Sequence, residues 1–447
     1  MAVIERQDEL EAWFHEAGKP REQWRVGTEY EKVGIERDTA RALSYSGRRG
    51  VRAILEGLVS DYDWEPQEEE GFLIGLKRGN HAITLEPGGQ IELSGEPCDD
   101  IHCSNAEFSQ HIRELIDVAE RFDVAFLGLG IQPFSRVDEI EWLPKRRYRI
   151  MGPYMSKVGT LGHRMMKQTA TVQANIDYGD EKDAMAKLRT TMGLAPVIGA
   201  AFANSPISDG EPNGFKSYRG HIWTRTDADR CGLLEFCFSP DATFHHYVEY
   251  ALDVPMYLIS RDGHYIDMTA ISFRRFLEHG HQGHYATMAD WQLHLTTLFP
   301  EVRLKQYMEF RSADSQAPEL MPALPALIKG LCYDADCLGA AWDLVKGWTF
   351  DERMTAYHDS HKDGLAARFR RYTLGDVAKE MVDIAWEGLA RQHALSRRGE
   401  DETIHLKALR DLVQQGLCPA DVILSKWQGE FRQDLRRLID DSSYKLP

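Results

Sequence analysis

Hydrophobic and polar positions switch repeatedly between a period of two and a period near 3.6, so strands and helices are expected to interleave along this chain. Residues 5–20 predict a short amphipathic helix ending at Gly18 and Pro20, and 24–36 then alternate as a strand. Helical spacing returns at 51–62. Residues 72–78 and 82–94 read as two strands around the turn pair Gly79-Asn80. From 101 to 122 one stripe carries Ile101, Phe108, Ile112, Leu115, Ala119 and Phe122, an amphipathic helix. A short apolar strand follows at 124–131. The cleanest two-faced strand is 169–178, where Thr171, Gln173 and Asn175 point one way and Val172, Ala174 and Ile176 the other. A helix is expected over 181–203, and further strands at 232–238, 265–268 and 304–311. Beyond about residue 320 the pattern turns mainly helical. There Thr373 and Asp376 have capping-box spacing, ahead of a helix that should bury Val377, Met381, Ile384 and Leu389.

No regular βαβ rhythm, internal repeat or linker is visible, and the hairpin signals favour antiparallel pairing. The expected fold class is therefore α+β, with helices packed outside a largely antiparallel sheet. The expected organisation is a single large catalytic domain over 1–447, sheet-rich over 1–320 and mainly helical over 321–447.

Composition narrows the function. Lys and Arg number 53 against 70 Asp and Glu, a net charge of -17, which repels nucleic acid and anionic membrane. An anionic ligand must then be met by metal ions or by a local arginine cluster. No stretch approaches the ~20 apolar residues of a membrane-spanning helix, and the first residues, MAVIERQDELEAWF, carry charges throughout. Seven scattered cysteines form no disulfide framework by pattern. Cys98/Cys103, Cys231/Cys237 and Cys332/Cys337 lack CxxC spacing and read as small buried residues. The chain is expected to be cytoplasmic and reduced.

GxxxxGK[ST], HExxH and GxSxG are absent, and Gly128-Leu129-Gly130 lacks the third glycine of a dinucleotide loop. The chemistry is acidic instead. Glu29 and Glu31, two apart on a strand, share a face from which Tyr30 points away. Glu86 and Glu92 flank Pro87-Gly88-Gly89, which should bend or bulge their strand, with Gln90 on the face of Glu92. Glu309 and Arg311 repeat the device. Any one pair alone reads as a solvated strand face. Three such pairs, with Gln173 and Asn175 on a fourth strand, repel one another unless a cation lies between them. Carboxylates with amide oxygens suit Mg²⁺ or Mn²⁺ rather than zinc, and Mg²⁺ completes its shell with substrate phosphates. An acidic sheet face is thus a candidate ATP site.

Positive charge is densest in Lys145-Arg146-Arg147-Tyr148-Arg149, which alone reads as a solvated run. Residues 212–230 place Arg219, His221, Trp223, Arg225 and Arg230 in one Gly/Asn-punctuated loop. Such a loop serves either as a clamp for carboxylates or as a surface loop held by Asp227 and Asp229. His163, His221 and His245-His246 receive no catalytic role.

The stretches VGTEYEKVGIE, LEPGGQIELSG, GTLGHRMMKQTATVQANIDY, NGFKSYRGHIWTRTDADRCG, YALDVPMY and LFPEVRLKQYMEFRSAD together resemble glutamate–cysteine ligase (gamma-glutamylcysteine synthetase) of the plant and alphaproteobacterial type. The resemblance runs in order from about residue 24 onward. It implies a glutamine-synthetase-like fold, in which a curved antiparallel sheet forms a funnel. It also implies ligation of the glutamate γ-carboxylate to the cysteine amine through a γ-glutamyl phosphate, the first step of glutathione biosynthesis. Carried over by position, Glu29, Glu31, Glu86, Glu92, Gln173 and Glu309 are expected to hold Mg²⁺ or Mn²⁺, and Arg311 and Glu31 to be catalytic. Arg147, Arg219, Trp223 and Tyr257 are expected to bind glutamate and cysteine. The implied partners are L-glutamate, L-cysteine and ATP, with no nucleic acid or membrane, in a monomer or weak homodimer. Another amine acceptor, a role in ergothioneine synthesis, and a non-catalytic ATP or amino-acid sensor stay open as alternatives.

Overall fold

The computed structural model describes residues 3–445. At its centre lies strand β1, Val26–Glu36. The other strands of its sheet are β2 Glu65–Glu69, β3 Phe72–Arg78, β4 His81–Leu85, β5 Ile91–Ser94, β6 Val124–Leu127, β7 Val172–Ile176, β8 Val302–Leu304 and β9 Met308–Phe310. Their order is β8-β9-β7-β1-β5-β4-β3-β2, with β6 on the far part of β1, and every pairing is antiparallel. This is the α+β arrangement the hairpin signals predict.

Register turns the period-two pattern into two chemically different faces. On one face Tyr30 sits opposite Leu93 and Val172, and Leu93 opposite Ile83. Tyr30 is fully buried against Phe108 of the helix Ile101–Glu120. Asp100 caps that helix by accepting from the Cys103 N–H at 2.8 Å. On the other face Glu29 lies opposite Gln173, Glu31 opposite Glu92, Glu92 opposite Thr84, and Glu309 between Asn175 and Arg303.

The mid-chain apolar run folds as expected into a buried helix, Glu181–Ala201, with Pro196 inside it. The helices Ala335–Val345, Phe350–Asp363 and Leu374–Gln392 pack on this helix, and Ala323–Cys332 packs on β7 and Leu374–Gln392. Thr373 and Asp376 form the capping box anticipated, and Val377, Met381 and Leu389 are buried behind it. Ile384 is only half-buried at the edge of the core.

Several expectations are corrected. Residues 82–94 are two strands, because Pro87-Gly88-Gly89 makes a full reversal between β4 and β5 rather than a bulge. Gly89 takes φ +85°, and a Cβ on Gly88 would lie 2.1 Å from the Lys167 carbonyl oxygen, so the turn can press against that backbone only with glycine. Residues 304–311 likewise split into the β8–β9 hairpin, which alternation alone does not reveal. Over 232–238 only Cys231–Gly232 is strand, followed by a 3₁₀ turn at Glu235–Phe238. The strand β2, polar at nearly every position, gave no apolar alternation to read. Cys98 and Cys103 are joined as a disulfide, against the reading of separate reduced thiols; the other five cysteines are free. Proximity in space, which spacing did not encode, decides this pair.

Candidate active site

The polar face of the sheet floors a cavity of about 310 Å³. Four carboxylates, Glu29, Glu31, Glu86 and Glu92, and five cations, Lys145, Arg147, Arg219, Arg303 and Arg311, line it. The acids come from β1, β5 and the β4–β5 turn. The cations come from three further stretches, so only tertiary folding brings the two sets together.

Each carboxylate has its own surroundings. Glu31 accepts from the Thr171 N–H at 2.9 Å. Burial, then the charges of Glu86 and Glu92, hold its carboxyl well above the ordinary range. Burial and the charges of Glu309 and Glu92 push Glu29 up to about 7. Glu92 accepts from the hydroxyls of Thr84 and Ser94 at 3.1 and 2.9 Å, yet burial and Glu86 still raise it. These neighbouring acids destabilise one another's ionised forms, which is the condition a divalent cation relieves.

Glu309 differs. It is completely buried and does not reach the cavity wall; Arg303, Lys305 and Arg311 all pair with it. Burial opposes its ionisation, but the three cations outweigh burial and hold it well below the usual carboxylate range. In this structure the Glu309 carboxylate is held by these three cations rather than facing the cavity. Its carboxylate anchors the guanidiniums that do face the cavity.

Among the cations, Arg311 donates to Gln173 Oε1 at 2.7 Å and lies over the rings of Phe299 and Trp223. Arg219, on the helix Tyr218–Trp223, donates to the Arg311 carbonyl at 2.9 Å and has buried Asp314 3.9 Å away. The expected loop at 212–230 thus contains a short helix that aims Arg219 and Trp223 into the cavity. Arg225 faces solvent, while Arg230 is wholly buried and paired with Asp227 at 2.6 Å. Part of the segment therefore faces the cavity, and part is held by a buried ion pair rather than a surface one. Lys145 donates to the Leu85 carbonyl at 2.8 Å, and burial lowers its pKa. Arg147 and Trp223 line the cavity, and Arg147 Nε and Trp223 Nε1 are buried without a partner among the described residues.

Tyr257 does not line the cavity. It is buried, with the Arg230 guanidinium 4.0 Å from its ring centre and Tyr154 edge-on at 5.1 Å. The structure thus puts Tyr257 outside the cavity lining, with one face of its ring covered by the Arg230 guanidinium. Sequence reading missed Arg303, Lys305, Phe299 and Thr171. Arg303 and Lys305 share the two-residue spacing of Glu309 and Arg311, which was the available signal.

The donor set fits magnesium in a particular way. Among the described residues, no three cavity acids bring ligand atoms within 4.8 Å of one another; such groups occur only at Cys98/Cys103/Glu107 and His81/Glu96/Glu107. A closed protein cage for an ion is thus absent. Mg²⁺ commonly uses one or two carboxylates and completes its shell with water and phosphate oxygens, and the cavity offers that incomplete set. Asn175 Oδ1, beside Glu29, is a buried acceptor without a partner.

A recessed floor of carboxylates rimmed by guanidiniums defines a site for polyanionic substrates handled with cations. The family model of Glutamate-cysteine ligase family 2(GCS2) matches residues 25–441, and the chain belongs to that family. It is 42% identical over 98% of its length to the chloroplastic glutamate–cysteine ligase of Brassica juncea, covering 84% of that protein. With the chloroplastic enzyme of Arabidopsis thaliana the identity is 42% over 98% of this chain and 83% of that one. The fold is shared with a glutamate–cysteine ligase of Francisella tularensis solved in complex with AMP. The TM-score is 0.58 at 14% identity, over 95% of this chain and 90% of that one.

Proposed function

We propose that the protein is an ATP-dependent ligase joining the γ-carboxylate of L-glutamate to the amine of L-cysteine. The product, γ-glutamylcysteine, is the first intermediate of glutathione biosynthesis. The observation carrying this reading is the convergence of four carboxylates and five cations on one cavity, in a chain 42% identical to plant glutamate–cysteine ligases. The AMP complex of the Francisella tularensis ligase, which shares the fold, supports ATP as the nucleotide.

The catalytic difficulty is electrostatic, since a carboxylate must attack a triphosphate inside an acidic protein. A glutamate γ-oxygen forms a bond to the γ-phosphorus as the bond to the ADP oxygen breaks, giving γ-glutamyl phosphate. The cysteine amine then adds to the acyl carbon, phosphate departs, and the amine loses its proton. In this reading Arg311 meets charge on the transferred phosphoryl group, while Arg147 and Arg219 hold the glutamate anion in line. Trp223 and Phe299 form an apolar wall, 5.5 Å apart edge to face, that limits water. Glu29, Glu31, Glu86, Glu92 and Gln173 are the residues that would hold Mg²⁺, which would supply neutralisation of the phosphate oxygens. No protein nucleophile is required.

The reading includes a cytoplasmic enzyme acting as a monomer or weak homodimer. No helix among the described residues is long and apolar enough to cross a membrane. The test is phosphate release from ATP with Mg²⁺ and glutamate, with and without cysteine, and with putrescine or ammonia in its place. Cysteine-stimulated release with γ-glutamylcysteine as product supports the proposal. Release driven by another amine redirects it, and ATP binding without turnover replaces it with a sensor.

A further inference from the structure

A second cavity, of about 260 Å³, lies apart from the active site and shares no lining residue with it. The segment before β1 and the helices Glu181–Ala201 and Ala335–Val345 enclose it. Arg21 and Arg189 line it, and among the described residues neither pairs with a carboxylate. Arg189 Nε is buried with no hydrogen-bond partner, and Arg21 donates only to the Tyr333 carbonyl. The one acid in the lining, Asp183, is already matched, because Lys187 Nζ lies 2.8 Å from it and the Gly179 N–H donates to it at 2.8 Å. Two guanidiniums without a carboxylate partner among the described residues, Arg21 exposed and Arg189 half-buried 4.9 Å from the Trp342 ring centre, thus border one recess of a protein whose net charge is -17.

The remaining wall is aromatic and apolar, with Trp24, Trp342 and Leu338. Gly339 completes it from the middle of the helix Ala335–Val345. A helix-interior glycine costs about 1 kcal/mol relative to alanine. Helical glycines usually recover that cost through close packing, yet a Cβ on Gly339 would meet nothing within 4 Å. Its effect is to leave the recess open.

We infer that this recess binds a small organic anion with a flat apolar body, an aromatic or heteroaromatic carboxylate or phosphate. The guanidinium forks of Arg189 and Arg21 meet the anionic head, and Trp24 and Trp342 border the ring. Lys187 Nζ lies 3.5 Å from the Trp24 ring centre and the Arg189 guanidinium 4.9 Å from that of Trp342, so the indoles border a ligand by their edges, and a neutral aromatic would leave the guanidiniums without an anion.

Calorimetric titration of the full-length protein with phenyl phosphate, phenylacetate and neutral benzyl alcohol tests this. Saturable binding of either anion, none of the alcohol, and at least ten-fold weakening in Arg189→Met are expected; which anion binds more tightly identifies the head group. Gly339→Phe projects a ring into the recess while leaving both arginines in the chain, and should abolish binding while thermal melting stays unchanged. Absence of binding by both anions overturns the inference. So does binding that survives Arg189→Met and Gly339→Phe but is lost in Arg147→Met, which would place the anion in the active cavity.

Discussion

Arg303 lies directly opposite Glu309 across the β8–β9 hairpin, and its Nη2 donates to Oε2 of that carboxylate at 2.8 Å. Both side chains are more than nine-tenths buried, and Arg303 also donates to the Thr296 and Leu298 carbonyls at 2.7 and 2.9 Å. Removing one member of an isolated buried pair costs about 3–5 kcal/mol, because its partner is left uncompensated. Glu309 keeps Lys305 and Arg311, so Arg303→Met should lower unfolding stability by less than that, read from the denaturant midpoint. Glu309→Gln should release Arg311 and reduce turnover more than it raises the KM of any substrate. Equal stability of wild type and Arg303→Met in urea would refute this account.

Glu31 tests the opposite case. Its carboxyl is already destabilised by burial and by Glu86 and Glu92, so Glu31→Gln should leave thermal stability without Mg²⁺ unchanged or slightly higher. Turnover should fall by roughly 10²–10³-fold, the scale of losing one preorganised electrostatic group, and half-saturation should require more Mg²⁺. The check is a melting curve beside a Mg²⁺ titration of activity. A large loss of stability with normal Mg²⁺ dependence would assign Glu31 to the scaffold.

Arg147 lines the cavity on the side of Glu86 and Lys145. A hydrogen bond to a charged group contributes about 1.5–3 kcal/mol, so Arg147→Met should raise the KM for glutamate by roughly 10- to 100-fold. The KM for cysteine should change less. Initial rates over a glutamate series decide it, and a KM effect confined to cysteine would exchange the two ends of the pocket.

Buried histidines set an acid limit on stability. Burial lowers His294 and His361 to about 3, against roughly 6.5 when unfolded. Between these values the unfolded chain binds more protons, so stability is fully present above about pH 6.5 and declines as pH falls toward 3. Each histidine contributes a slope of up to about 1.4 kcal/mol per pH unit. His294→Asn should flatten the fall by about that much between pH 6 and 4.5, measured by urea unfolding at each pH. An unchanged slope would mean that His294 is already protonated or exposed in the folded state.

Much of the site was legible before folding because strand geometry is local. Two-residue spacing put Glu29 with Glu31 and turned Tyr30 to the core, and the structure keeps both assignments. The VQANI face was legible for the same reason. Tyr257 was not, since its displacement depends on Arg230, which reaches it from another segment. Glu309 was placed on the right strand, but its ion pairs were not legible, because the two cations that close around it from β8 and the hairpin turn become neighbours only when the chain reverses. Lys145 and Arg147 looked like part of a solvated run until the Pro87-Gly88-Gly89 turn packed beside them.

The sequence by itself determined the alternating strands, the capped helices, the acidic balance and the family. These depend on side-chain type at fixed spacing, and on 42% identity over 98% of the chain. Tertiary structure alone decided which charges meet. Hydrogen-bond register across β1, β5, β7 and β9 brings residues hundreds of positions apart within a few ångströms, where burial and Coulomb forces, negligible along an extended chain, separate an anchored Glu309 from an open Glu31.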